Sequence, residues 1–140
     1  MSRKVESMED YTDGLGEVKL PYGMFLTLAN KLYGALAIQI LDILQECNDL
    51  VPEELANAFG NALDETSRAA EKLESTYPVM PEYYTHETGV FLACMMNLGD
   101  VASTILPYVS VTIDLDSADT INRMVTVGKV FIAKLVEGGE

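Results

Sequence analysis

The hydrophobic positions of the chain recur at helical spacing, most densely in the segment Met24–Leu44. Fifteen of its 21 residues are apolar. One set has the spacing of a single buried helix face: Phe25, Ala29, Leu32, Leu36, Ile40 and Ile43. Leu28, Ile38 and Leu41 fall outside that stripe, among polar positions. A helix with this pattern needs cover on two sides, so we expect these three residues to form an interface.

Three more helices follow from the same pattern. Pro52, followed by two glutamates, predicts the start of the second helix. The third spans about 85–106 and has a broad apolar arc, with Met96 as surplus apolar surface and a further candidate for the interface. The fourth starts with Asp116 or Ser117 as its cap and ends at 138–139. Gly128 lies in its core stripe, where another helix can approach closely.

These elements predict an all-α fold, an antiparallel four-helix bundle. The connector at 75–85 contains Pro78 and Pro81, which interrupt helices. Residues 1–16 are polar and charged, and we expect a flexible N-terminal arm. Residues 17–140 then form a single helical domain, a size sufficient for a core without disulfide or metal support.

The segment 109–115 has a different period from the helices. Val109, Val111, Ile113 and Leu115 alternate with polar residues, which is typical of a strand. Its only partner in the chain is the short segment 17–20. Two interpretations therefore stand for 109–115: a strand in a two-stranded β element with 17–20, or an extended loop.

The charge of the chain narrows the classes of partner. The net charge is −13, with 22 acidic against 9 basic residues. Direct nucleic-acid binding needs a basic footprint, and anionic membranes repel acidic surfaces. Residues 41–75 hold nine acids, and Asp64, Glu71 and Glu74 mark a candidate acidic face. This face either keeps the fold soluble or docks on a basic protein.

No catalytic, cofactor or metal site is predicted. His86 is the only histidine and lacks the spacing to Glu82 that helical metal sites use; general acid–base chemistry with Glu82 or Glu87 stays as a minor alternative. The acids of 114–119 resemble a calcium loop but lack its glycine and its final glutamate. Cys47 and Cys94 fall on apolar helix faces, where we expect buried, inert thiols, and a disulfide stays as the alternative.

The sequence therefore favours a cytoplasmic, non-catalytic interaction protein that self-associates as a dimer. No secretory signal is expected, because charged residues rather than an apolar run follow the N-terminus. The sequence has no window of 18 uninterrupted apolar residues, so no membrane span is predicted. Two alternatives remain: an acidic inhibitor or nucleic-acid mimic that binds a basic site, and a small ligand- or metal-binding bundle that uses His86.

Overall fold

The structure, a computed structural model, describes residues 21–137 and contains four α-helices in that range. They are α1 (Tyr22–Cys47), α2 (Glu53–Thr76), α3 (His86–Val109) and α4 (Leu115–Glu137), and a single 3-10 turn, Asn48–Leu50, follows α1. The predicted all-α helical bundle is confirmed, and no strand occurs within 21–137. The N-terminal arm 1–16 and the segment 17–20 lie outside the described residues.

Local hydrogen bonds explain where the helices begin. Thr85 Oγ1 accepts from Thr88 N at 3.2 Å, while Thr85 N donates to Thr88 Oγ1 at 2.6 Å, so a reciprocal cap starts α3. Asp114 Oδ1 accepts from Ser117 N at 2.7 Å at the start of α4. The cap predicted at Asp116 or Ser117 is therefore wrong by two or three residues. The carboxylate that accepts a hydrogen bond from the first turn of α4 belongs to Asp114.

The helices pack around α3. Helix α2 packs mainly against α3, whereas α1 packs against both α3 and α4. The Phe25 and Phe131 ring centroids are 4.7 Å apart between α1 and α4. Thr66 Oγ1 donates to the Cys94 carbonyl at 3.2 Å between α2 and α3. Because α2 is covered mainly on one side, the rest of its circumference faces solvent, as expected for an amphipathic helix with one apolar stripe.

A tyrosine ring occupies the junction of α1, α3 and α4. Tyr33 of α1 is buried against Gly128 of α4 and Gly99 of α3. A Cβ on Gly128 would lie 2.6–2.8 Å from three atoms of this ring, and one on Gly99 would lie 3.2 Å from it. The close approach predicted at Gly128 is thus made by a side chain from α1. Burial, with a smaller contribution from the charge of Asp100, raises the pKa of Tyr33.

The segment 109–115 is a helix end and a turn, so the strand interpretation is wrong. Helix α3 continues through Pro107 to Val109, and Thr112 N and Ile113 N both donate to the Val109 carbonyl, at 2.9 and 3.1 Å. Val109 is buried, whereas Val111 is 91% and Leu115 85% exposed. The alternating apolar residues do not share a face, because the backbone folds back on itself where a strand would stay extended.

Candidate interaction surface

Helix α1 has an exposed side opposite its buried face, which we call the outer stripe. Its members are all exposed: Met24, Lys31, Gly34, Ala35, Ile38, Leu41, Asp42 and Gln45. Ile38 is 62% and Leu41 39% exposed, and they lie one turn apart. Gly34 and Ala35 precede them with minimal side chains. The centre of the outer stripe is therefore apolar and exposed, and its two smallest residues leave room for a contacting helix.

The structure separates the four residues predicted for an interface into three environments. Ile38 and Leu41 belong to the outer stripe. Leu28 is half-buried and packs against the core at the edge of that stripe. Met96 is exposed on α3, one turn before Asp100, which reaches Lys129 of α4 at 3.6 Å. Met96 thus lies on the side of α3 toward α4 and is separate from the outer stripe.

The predicted acidic face lies along the outside of α2. Asp64, Glu71 and Glu74 are all exposed there. Asp64 forms an ion pair with Arg68 of the next turn at 3.0 Å, so part of its charge is balanced within the helix. The face is acidic but interrupted by bases, as the sequence indicates.

A groove between α2 and α3 brings together acidic and basic side chains. Its volume is about 540 Å³, and its lining is as follows: Glu65, Arg68, Ala69, Lys72, His86, Glu87, Val90 and Cys94. Each helix contributes both signs of charge: Glu65, Arg68 and Lys72 belong to α2, and His86 and Glu87 belong to α3. The groove can therefore hold a small polar molecule, but it presents no field of a single sign that would select one ligand class.

Two side chains of this groove, Glu87 and Cys94, have shifted pKa values. The N–H of Glu87 at the start of α3, the Tyr77 hydroxyl at 3.0 Å and the charges of His86 and Lys72 lower the pKa of Glu87. Burial, with the nearby charge of Glu65, raises the pKa of Cys94, so its thiol stays protonated. The groove thus holds the Glu87 carboxylate in its charged form and the Cys94 thiol in its neutral form.

His86 and Glu82, considered together in the sequence, have different surroundings. His86 is exposed at the groove, whereas Glu82 Oε1 accepts from Gly23 N at 3.1 Å and ties the connector to the start of α1. Within 21–137, no three histidine, cysteine or acidic side chains are grouped so that they could hold a metal ion. Sequence reasoning missed the groove, although the interval of four between Arg68 and Lys72 places both on one side of α2.

Comparisons with known proteins add no relative: no protein family, curated protein or solved structure matches the chain. Among the described residues, α1 and α3 are long and apolar enough to cross a membrane by length and composition, with mean hydropathies of 1.4 and 1.5. In each, 44% of the most apolar window is buried inside the fold. Core helices of soluble proteins meet the same criterion, so the finding does not locate the protein.

Proposed function

We propose that the protein is a non-catalytic helical interaction protein that self-associates through the outer stripe of α1. The observation that carries this proposal is the exposure of Ile38 and Leu41 beside Gly34 and Ala35, on a helix whose opposite face already fills the core. Small residues next to large apolar ones let two helices approach closely and interdigitate. A two-fold dimer is the simplest assembly that covers such a face in both copies.

Burial of Ile38 in the contact contributes substantially to the free energy of dimerisation. Full burial of an isoleucine side chain stabilises a complex by about 1.5–3 kcal/mol relative to exposure. For the exposed part of Ile38, this corresponds to about 1–2 kcal/mol in each copy. Association also costs translational and rotational freedom. We therefore expect a dimer that dissociates on dilution and is sensitive to one substitution at this position.

The charge distribution favours this stripe over other surfaces for contact between two copies. Each chain carries −13, so most pairs of surfaces repel each other. The outer stripe holds one lysine, Lys31, which balances one aspartate, Asp42, and the exposed Glu46 lies at its border. Added salt screens the long-range repulsion between the copies, so it should strengthen the dimer. Salt should weaken an acidic inhibitor's docking on a basic partner, which separates the two hypotheses.

The proposal includes a finer arrangement of the fold and a location. Tyr22 Oη donates to the Leu135 carbonyl at 2.8 Å, joining the start of α1 to the end of α4. With the Phe25–Phe131 contact, this pairing supports an antiparallel arrangement of α1 and α4 within the bundle. We treat α1 and α3 as core helices of a soluble, cytoplasmic protein, because each already buries much of its apolar surface within the fold.

Light scattering coupled to size-exclusion chromatography tests the proposal with the full chain. Ile38→Glu should lower the association constant about 100-fold, because two carboxylates would enter an apolar contact. The matched control is Val111→Glu, which changes an apolar residue that is 91% exposed in the turn between α3 and α4. The control should dimerise like the wild type. Equal dimerisation of Ile38→Glu and the control would refute the assignment of the interface to this stripe.

A further inference from the structure

We infer that α1 pairs with α1 of a second copy in one antiparallel register, with Lys31 of each copy opposite Asp42 of the other. This inference rests on the proposed function and adds the orientation and alignment of the contact. Lys31 and Asp42 are exposed members of the outer stripe, eleven positions apart along the helix. Three turns of helix separate them by about 16 Å, and both project from the same side.

Six members of the outer stripe, together with Leu28 at its edge, have the spacing of a helix–helix seam. Seven residues follow one another at alternating intervals of four and three: Met24, Leu28, Lys31, Ala35, Ile38, Asp42 and Gln45. Six of them are exposed, and Leu28 is half-buried. This repeat of 3.5 residues keeps one seam facing a partner helix along its whole length. The core-facing stripe of α1 lies on the opposite side, so the helix carries two seams.

A two-fold antiparallel pair places position i opposite position 73 − i when its axis passes between positions 36 and 37. Lys31 then meets Asp42 of the second copy, and Ala35 meets Ile38 of the second copy. The small Ala35 side chain leaves room for the large Ile38 side chain, and each contact occurs twice. Leu28 meets Gln45 in the same alignment. Opposite charges and complementary sizes therefore coincide in a single register.

Neighbouring registers lose this match. A shift of one heptad in one direction places Asp42 opposite Met24, and the shift in the other direction places it opposite Ile38. Either alignment puts a carboxylate against an apolar side chain without a counter-ion, which is unfavourable. A parallel pair would place Lys31 opposite Lys31 and Asp42 opposite Asp42. Like charges at facing positions repel, so the charge pattern selects the antiparallel register.

Charge reversal in the full chain tests the register. Lys31→Asp and Asp42→Lys should each weaken homodimerisation at least tenfold, because each creates two like-charge contacts. The double variant Lys31→Asp/Asp42→Lys restores opposite charges and should dimerise within about twofold of the wild type. A mixture of the two single variants should form heterodimers in preference to either homodimer. Sedimentation velocity, with one variant fluorescently labelled in the mixture, measures the association constants of the wild type, the three variants and the heterodimer.

Lys134→Asp is the matched control for Lys31→Asp, because it makes the same change in net charge on α4, where Lys134 is exposed. It should dimerise like the wild type, and circular dichroism should show equal helix content in every variant. If the single reversals leave dimerisation unchanged while Ile38→Glu abolishes it, the register is wrong and the proposed function stands. If the wild-type chain is a monomer throughout, both fall. In that case a different protein would be the occupant of the outer stripe.

Discussion

The replacement Gly128→Ala tests the packing at the junction of α1, α3 and α4. In an exposed helix, this change stabilises by about 1 kcal/mol, because alanine has less conformational freedom to lose. Here the new methyl group would meet Oη, Cζ and Cε2 of Tyr33 at 2.6–2.8 Å. Those distances are far inside ordinary van der Waals contact, so the ring or a helix has to move.

The ring has little room to retreat. Tyr33 is buried, and its Cε1 edge lies against Gly99 of α3, where an added Cβ would be 3.2 Å away. Overpacking a closed site destabilises by about 1–3 kcal/mol. Three short contacts favour the upper part of that range. Subtracting the gain in helix propensity leaves a net destabilisation of about 1–2 kcal/mol for Gly128→Ala.

Chemical denaturation followed by circular dichroism measures this effect, at one fixed protein concentration because dimerisation contributes to stability. The matched control is Gly60→Ala in α2. Gly60 is exposed, and a Cβ there would meet nothing within 4 Å. The control should be about 0.5–1 kcal/mol more stable than the wild type. Equal stabilisation by both replacements would refute the close approach of Tyr33 to Gly128.

Two further replacements probe single polar groups. Tyr33→Phe removes a buried hydroxyl that has no hydrogen-bond partner among the described residues, so it should leave stability unchanged or raise it by about 1 kcal/mol; a loss above 1 kcal/mol in denaturation would contradict this. Asp114→Ala should lower the thermal midpoint at neutral pH, because Ser117 N and the Ser117 hydroxyl lower the pKa of Asp114. Because the pKa is lowered in the folded state, the charged carboxylate contributes its whole stabilisation above the ordinary pKa of aspartate and loses it as the pH falls through the lowered pKa. The difference in thermal midpoint between the wild type and Asp114→Ala should therefore shrink in acid. A difference that stays constant with pH would show that the carboxylate charge plays no part.

The helices could be predicted from sequence because their apolar positions repeat over many turns. Helix α2 has one clear stripe ending at Leu73, and it begins at Glu53, one residue after the predicted start at Pro52, which is its N-cap. The start of α4 could not be placed, since Asp114, Asp116 and Ser117 are all suitable caps. Only the folded backbone shows which of them accepts a hydrogen bond.

The error at 109–115 has a specific cause. Four alternating apolar residues suggest a half-buried strand, but the first, Val109, belongs to the core stripe of α3. Val111 and Leu115 are simply exposed. A short period-two pattern carries little information when one of its members is already accounted for by a helix. The predicted third helix also ended at about 106, whereas α3 continues through Pro107 to Val109.

The candidate surface could be predicted only in part. The helical wheel correctly separates Ile38 and Leu41 from the core stripe, because wheel position depends on sequence alone. It places Leu28 on the same side, although this residue is half-buried at the border. The groove between α2 and α3 could not be predicted, because its shape depends on how the two helices pack. The sequence pattern of each helix does not contain that information.

Sedimentation equilibrium of the full wild-type chain tests the central claim most directly. The chain has a mass of 15.3 kDa. The apparent mass should rise from this value toward twice this value across micromolar concentrations, and the rise should occur at lower concentration when salt is added. A mass of 15.3 kDa at every concentration and salt level would contradict self-association through the outer stripe of α1.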